Sequence, residues 1–160
     1  MFKGMKYVRA VMIVWAALMG MAHAHDYEVG ELTITHPWSR ATAPNAANGV
    51  AYMAITNNGS SDDVLIAAEA PVSSRTELHT HEMTDGVMRM REVEGGITIP
   101  AGETIYLEPS GLHVMLMGLD DQLVEGELFP LTLTFQNAGT IEVEAAIAGP
   151  GAVLDLHSHH

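Results

Sequence analysis

Short runs of alternating apolar and polar residues recur along the chain from about residue 28 onward. Because successive side chains of a β-strand point to opposite faces, this period of two is typical of strands with one buried face. No segment carries a convincing amphipathic helix of three turns. The runs predict nine strands, at residues 28–36, 49–57, 62–69, 75–83, 87–93, 103–108, 112–118, 127–136 and 140–148.

Turn-forming residues separate these runs, among them Asp85-Gly86, Gly95-Gly96 and Pro109-Ser110-Gly111. Many short strands at this spacing indicate an all-β domain, either an antiparallel sandwich or a Greek-key barrel. No internal repeat or linker divides the pattern. We therefore expect one domain over residues 25–150, followed by a flexible, histidine-containing tail over residues 151–160.

The N-terminal segment has the pattern of a secretory signal peptide. Three basic residues and no acidic ones precede an apolar run over residues 10–22, and the motif Ala22-His23-Ala24 follows. The run is shorter than the roughly 20 residues that a membrane-spanning helix needs. We expect residues 1–24 to be removed on export to the periplasm, leaving a protein with no stable membrane insertion. With no cysteine after the cut, no lipid anchor is expected there.

Charge and cysteine content exclude several classes of function. Residues 25–160 contain four arginines, no lysine and twenty acidic residues, for a formal charge of −16. Such a surface argues against a nucleic-acid partner, which needs a basic face. The absence of cysteine excludes a disulfide framework, a thiolate nucleophile, an iron–sulfur cluster and a blue-copper site.

Methionine and histidine concentrate in one part of the chain. Five of the six methionines after residue 24 lie between residues 83 and 117, beside three histidines. Asp85-Gly86 between two alternating runs predicts a two-residue hairpin turn, which would set His81 opposite Met90. One side of this hairpin would then carry His79, His81, Met83, Met88 and Met90.

A third strand adds further side chains of the same types. His113, Met115 and Met117 share one face of the predicted strand, and the aliphatic residues between them share the other. We expect the aliphatic face to enter the core and the His/Met face to point outward.

The residue types indicate the metal. Methionine sulfur is soft and neutral, so it suits Cu(I) far better than Mg²⁺, Ca²⁺ or Zn²⁺, and imidazole serves both copper oxidation states. A neutral His/Met set without thiolate suits reversible carriage of Cu(I). Two alternatives remain open: a small copper-dependent oxidase or superoxide-detoxifying enzyme, and a metal-free Ig-like interaction module with methionine in its core.

The spacing His79-x10-Met90, followed by His113-x-Met115, resembles the copper motif of the PCu(A)C family of periplasmic copper chaperones. The gap between Met90 and His113 is one residue longer than the usual family spacing. Further similar stretches are Pro37-Trp38-Ser39-Arg40-Ala41-Thr42-Ala43-Pro44, Ala51-Tyr52-Met53, Gly86-Val87-Met88-Arg89-Met90-Arg91 and Pro130-Leu131-Thr132-Leu133-Thr134-Phe135. Together they extend the resemblance over roughly residues 30–148.

The resemblance implies a cupredoxin-like β-fold and a Cu(I) site made by His79, Met90, His113 and Met115. The resemblance also implies delivery of copper to a periplasmic recipient, the CuA centre of cytochrome c oxidase. We expect the protein not to be an enzyme. The hairpin register leaves His81 as an alternate to His79. The tail residues His157, His159 and His160 are candidate Cu(II) ligands, or else part of a polar tail.

Overall fold

The computed structural model describes residues 26–157 as one sheet of eleven β-strands, with no helix among those residues. That part of the chain contains no helix of the length and apolar character needed to cross a membrane. The predicted signal peptide lies outside the described residues. The strands are β1 (Tyr27–Val29), β2 (Leu32–Arg40), β3 (Asn48–Asn57), β4 (Asp63–Glu69), β5 (Ser73–Thr84), β6 (Val87–Glu92), β7 (Ile97–Ile99), β8 (Thr104–Leu107), β9 (His113–Leu119), β10 (Leu128–Phe135) and β11 (Gly139–Ala148).

The strands follow the order β6-β5-β9-β3-β2-β11-β10-β4-β7, with β1 paired to β2 and β8 paired to β3. The all-β prediction is confirmed. The pairing is antiparallel throughout this path except between β11 and β2, which run parallel. The sheet is therefore mixed rather than wholly antiparallel, because the last strand inserts beside an early one.

The predicted strand at residues 28–36 differs most from the structure. Gly30, with φ of 55°, makes a turn that separates β1 from β2. Strand β2 then continues through Arg40, past a register shift between Thr35 and Trp38 where His36 has φ of 48°. A bulge of this kind interrupts the alternation without ending the strand, so the apolar pattern alone underestimates its length.

The main core lies on one face of the sheet. Alternate residues of the central strands, such as Met53 on β3 and Val114 and Leu116 on β9, are fully buried there. The opposite face carries a smaller buried cluster built on Trp38, Tyr52, Ala54 and Leu156. The central strands are thus covered on both sides.

The C-terminal segment covers the smaller cluster. Leu156 is buried against it, and the Arg40 Nε–H group donates a 2.9 Å hydrogen bond to the carbonyl of Ala152. The His157 ring stacks on Tyr106 at 3.7 Å between centroids. Three residues of the segment that the sequence assigns to a flexible tail, Ala152, Leu156 and His157, therefore contact the sheet.

Candidate metal centre

The hairpin of β5 and β6 has the register that the sequence predicts. His81 lies opposite Met90, and Met83 lies opposite Met88. The turn residues Asp85 and Gly86 both have positive φ, at 52° and 77°, as a two-residue hairpin turn requires. The predicted set of histidines and methionines therefore shares one face of the hairpin.

Strand β9 brings the third segment alongside. It pairs with β5 so that His79 lies opposite His113 and Glu77 lies opposite Met115. The His113 ring is 5.8 Å from the His79 ring and 5.2 Å from the His81 ring, between centroids. Three imidazoles thus meet on the face of the sheet that lies opposite the main core.

Burial on this face differs from the sequence expectation. His113 and Met115 were expected to point outward, yet they are only 2 % and 9 % exposed. Met115 lies opposite Val50 on β3, whose neighbours form the smaller cluster under the C-terminal segment. The rings of His79 and His81 lie beside His113, and Val50 lies beside Met115, so this face of β9 is covered within the fold. The outward orientation is wrong, although the separation from the aliphatic face is confirmed.

Hydrogen bonding fixes which nitrogen of His113 is available. Its Nδ1–H donates to the carbonyl oxygen of Gly111 at 3.0 Å, since a carbonyl can only accept. Its Nε2 is buried and has no hydrogen-bond partner. The neutral ring therefore presents an unused lone pair on Nε2 inside the protein, as a metal-binding imidazole does.

His79 has the opposite arrangement. Its Nε2 lies 2.7 Å from a carboxylate oxygen of Glu77, two residues earlier on the same strand. An ionised carboxylate only accepts, so Nε2 carries the proton and the lone pair lies on Nδ1, which is buried and unpartnered. Arg75 pairs with the same carboxylate.

Burial lowers the pKa of His113. Loss of hydration is the largest cause, the hydrogen bond to Gly111 opposes it, and the neighbouring His81 and His79 lower the pKa further. His113 is therefore neutral at neutral pH, which keeps its lone pair free. In each of the two rings, His79 and His113, one buried nitrogen has no hydrogen-bond partner.

Between residues 26 and 157, no group of three or more His, Cys, Asp and Glu side chains is placed to hold a metal ion. Two methionines of the predicted set lie close to the two imidazoles in the strand register. Met115 lies diagonal to His79 across β5 and β9, and Met90 lies diagonal to His79 across β5 and β6. Diagonal neighbours are about 7 Å apart and within reach of long side chains.

The remaining predicted residues have distinct positions. Met83 and Met88 lie at the exposed end of the hairpin, and Met117 lies on β9 opposite Arg75. His157 contacts Glu108 at 3.0 Å as well as Tyr106, whereas His159 and His160 lie outside the described residues. Sequence reasoning missed Glu77, although a carboxylate two residues before His79 on a strand necessarily shares its face.

Comparison with known proteins identifies the class. The family model described as "Putative lipoprotein LpqE-like" matches residues 32–147. A protein of Leifsonia xyli subsp. xyli, named "Putative lipoprotein Lxx21020", is 33 % identical over 111 residues, which are 68 % of this chain and 67 % of the relative.

Solved structures agree. The apo PCuAC domain of PmoF1 has a TM-score of 0.67 and 31 % identity, covering 79 % of this chain and all of that domain. The copper-bound PCuAC domain of PmoF2 has a TM-score of 0.68 and 27 % identity, covering 79 % and 99 %. The Cu(I) form of DR1885 from Deinococcus radiodurans has a TM-score of 0.58 and 30 % identity, covering 79 % and 83 %.

These likenesses define a cupredoxin-like β domain of the copper-chaperone class, which confirms the predicted fold class. The chain belongs to the PCuAC family, whose family model is the LpqE-like one.

The Glu77 carboxylate can be tested as the group that sets the His79 tautomer. In metal-free protein labelled with ¹⁵N-histidine, above the pH at which the imidazole becomes neutral, we expect His79 protonated on Nε2. Glu77→Gln removes the obligate acceptor, so we expect mixed tautomers and Cu(I) affinity lowered by roughly ten- to a hundredfold. Glu82→Gln, on the other face of β5 where Glu82 pairs with Arg91, is the matched control. A wild-type His79 protonated on Nδ1 would contradict the assignment.

The lowered pKa of His113 predicts a pH dependence. In an NMR titration of the metal-free protein, His113 is expected to titrate below about 6.5, the value for an unfolded histidine. The unfolded chain then binds the proton first, so this residue's contribution to stability is full above about pH 6.5 and falls as pH drops towards the folded-state pKa. Urea unfolding of wild type and His113→Gln on both sides of pH 6.5 measures it. A titration at or above 6.5 would disprove the burial argument.

Proposed function

We propose that this protein is a periplasmic Cu(I) chaperone, not an enzyme, and that His79, Met90, His113 and Met115 hold the ion. It would deliver the ion by ligand exchange to a copper-receiving protein, the CuA centre of cytochrome c oxidase. The observation that carries the proposal is the pair of buried, unpartnered imidazole nitrogens on His79 and His113, which lie at directly opposed strand positions.

Two unused lone pairs inside a protein call for a ligand. A buried polar atom without a partner costs free energy, and His79 Nδ1 and His113 Nε2 are two such atoms on adjacent strands. The two rings lie 5.8 Å apart between centroids. A metal ion bound between them would satisfy both nitrogens at once.

Methionine sulfur supports the choice of Cu(I). Met115 is buried beside the imidazole pair, and Met90 is on the same face but 43 % exposed. Two imidazoles and two thioethers are all neutral, soft or intermediate ligands, which suit a monovalent d¹⁰ ion. Because Met90 reaches solvent, it offers a partner protein access to the ion without unfolding of the core.

The relatives support copper as the cargo. One PCuAC domain is described as copper-bound and DR1885 as its Cu(I) form. The residue-level site proposed here rests on this chain's own geometry and on the family motif. His81 remains the alternate to His79, because it lies directly opposite Met90 and its ring is nearer to His113. Cu(II) uptake by His157, His159 and His160 remains an untested prediction.

Ligand substitutions test the site. We expect one Cu(I) per chain of the mature protein, with nitrogen and sulfur scatterers in X-ray absorption spectra. His79→Ala, Met90→Leu, His113→Ala and Met115→Leu should each weaken binding about tenfold or more against a competing chelator, about 1.4 kcal/mol per tenfold. Met53→Leu is the matched control, since Met53 is fully buried in the main core.

The histidine assignment is decided in the same titration. Weakening by His81→Ala but not by His79→Ala would replace His79 with His81. Absence of bound copper after anaerobic loading and desalting would refute the proposed function and favour a metal-free module.

Delivery is tested with a purified, copper-free soluble CuA domain under reducing conditions. The loaded chaperone should transfer Cu(I) to this domain, which has thiolate ligands, and size separation followed by metal analysis measures the transfer. In the control, the CuA domain receives the same total amount of Cu(I) from a small-molecule chelator complex instead of from the chaperone. Retention of copper on the chaperone would exclude this recipient.

A further inference from the structure

The ligand-type side chains on the His/Met face form a row of rising exposure. His113 is 2 % exposed, Met90 43 %, Met88 49 % and Met83 67 %. The row runs from the buried imidazoles to the tip of the β5–β6 hairpin. The proposed Cu(I) site accounts for His113 and Met90 but not for Met88 and Met83.

The tip carries a pair of opposed thioethers. Met83 and Met88 are cross-strand partners, one pair away from the turn at Asp85-Gly86. Directly opposed residues have Cβ atoms about 5 Å apart, which lets two flexible methionine side chains bring their sulfurs onto one ion. The pair His81 and Met90 follows two positions along, on the same face.

Packing does not explain these methionines. Every residue of β6 is exposed, and β6 is the terminal strand of the sheet, so its side chains bury little apolar surface. The other face of the same hairpin carries the ion pair of Glu82 and Arg91, as a solvated strand pair would. Methionine at two opposed, exposed positions therefore needs a reason other than core filling.

We propose that Met83 and Met88 form a second, weaker Cu(I) position at the tip of the hairpin, through which the ion enters and leaves the buried site. This inference rests on the proposed function. The ion stays monovalent, and each move replaces one neutral ligand by another, so no oxidant, reductant or proton is required. Met90, a ligand of the buried site, and His81 opposite it lie two positions from the tip pair on the same face, which makes the row of soft ligands continuous.

Methyl NMR tests both positions in one experiment. Mature protein carrying ¹³C-methyl methionine is titrated anaerobically with Cu(I). The first equivalent should shift the methyl signals of Met90 and Met115, and copper added beyond it should shift those of Met83 and Met88. No shift of Met90 and Met115 would refute the proposed function. Shifts of Met90 and Met115 without any shift of Met83 and Met88 would overturn this inference alone.

Kinetics distinguish a copper position from an apolar docking patch. The double variant Met83→Leu/Met88→Leu keeps the apolar surface and removes both sulfurs. We expect it to retain the equilibrium affinity of the first site but to release Cu(I) several-fold more slowly to a water-soluble chelator. Val87→Leu, at an exposed tip position on the other face, is the matched control. Unchanged release rates in the double variant would overturn the transfer role.

Discussion

The whole arrangement depends on β9 being buried on both faces. Its aliphatic residues Val114 and Leu116 lock into the main core, which fixes the strand. The same alternation then forces His113 and Met115 into the opposite face, where a second layer of contacts excludes water. An imidazole and a thioether are thereby buried on one face of β9, while the aliphatic residues on its other face make the contacts with the main core.

Desolvation on that face has an electrostatic consequence. It favours neutral groups, as the lowered pKa of His113 shows, and the hydrogen bonds to Gly111 and Glu77 assign the remaining protons. One ring therefore offers Nε2 and the other Nδ1. Glu77 also pairs with Arg75, so that face carries a compensated ion pair rather than a bare anion.

Local patterns in the sequence were sufficient for much of the structure. The Asp85-Gly86 turn fixes the hairpin register within a few residues, and alternation fixes which side chains of β9 share a face. The burial of His113 was not predictable from its own run, because the rings beside it belong to His79 and His81, more than thirty positions earlier in the chain. The parallel pairing of β11 with β2 and the bulge after Thr35 are likewise long-range or irregular features. Alternation within a single run carries no information on them.

The edge position of β6 separates the free energy of local strand detachment from the free energy of unfolding of the whole domain. The strand joins the sheet through β5 alone and contributes no buried side chain. Detachment of β6 would break one ladder of backbone hydrogen bonds while the main core stayed intact. This opening therefore has a low free energy compared with unfolding of the core. A protein built in this way can release a bound ligand when its edge strand frays. The free energy of that fraying is independent of the free energy that keeps the domain folded.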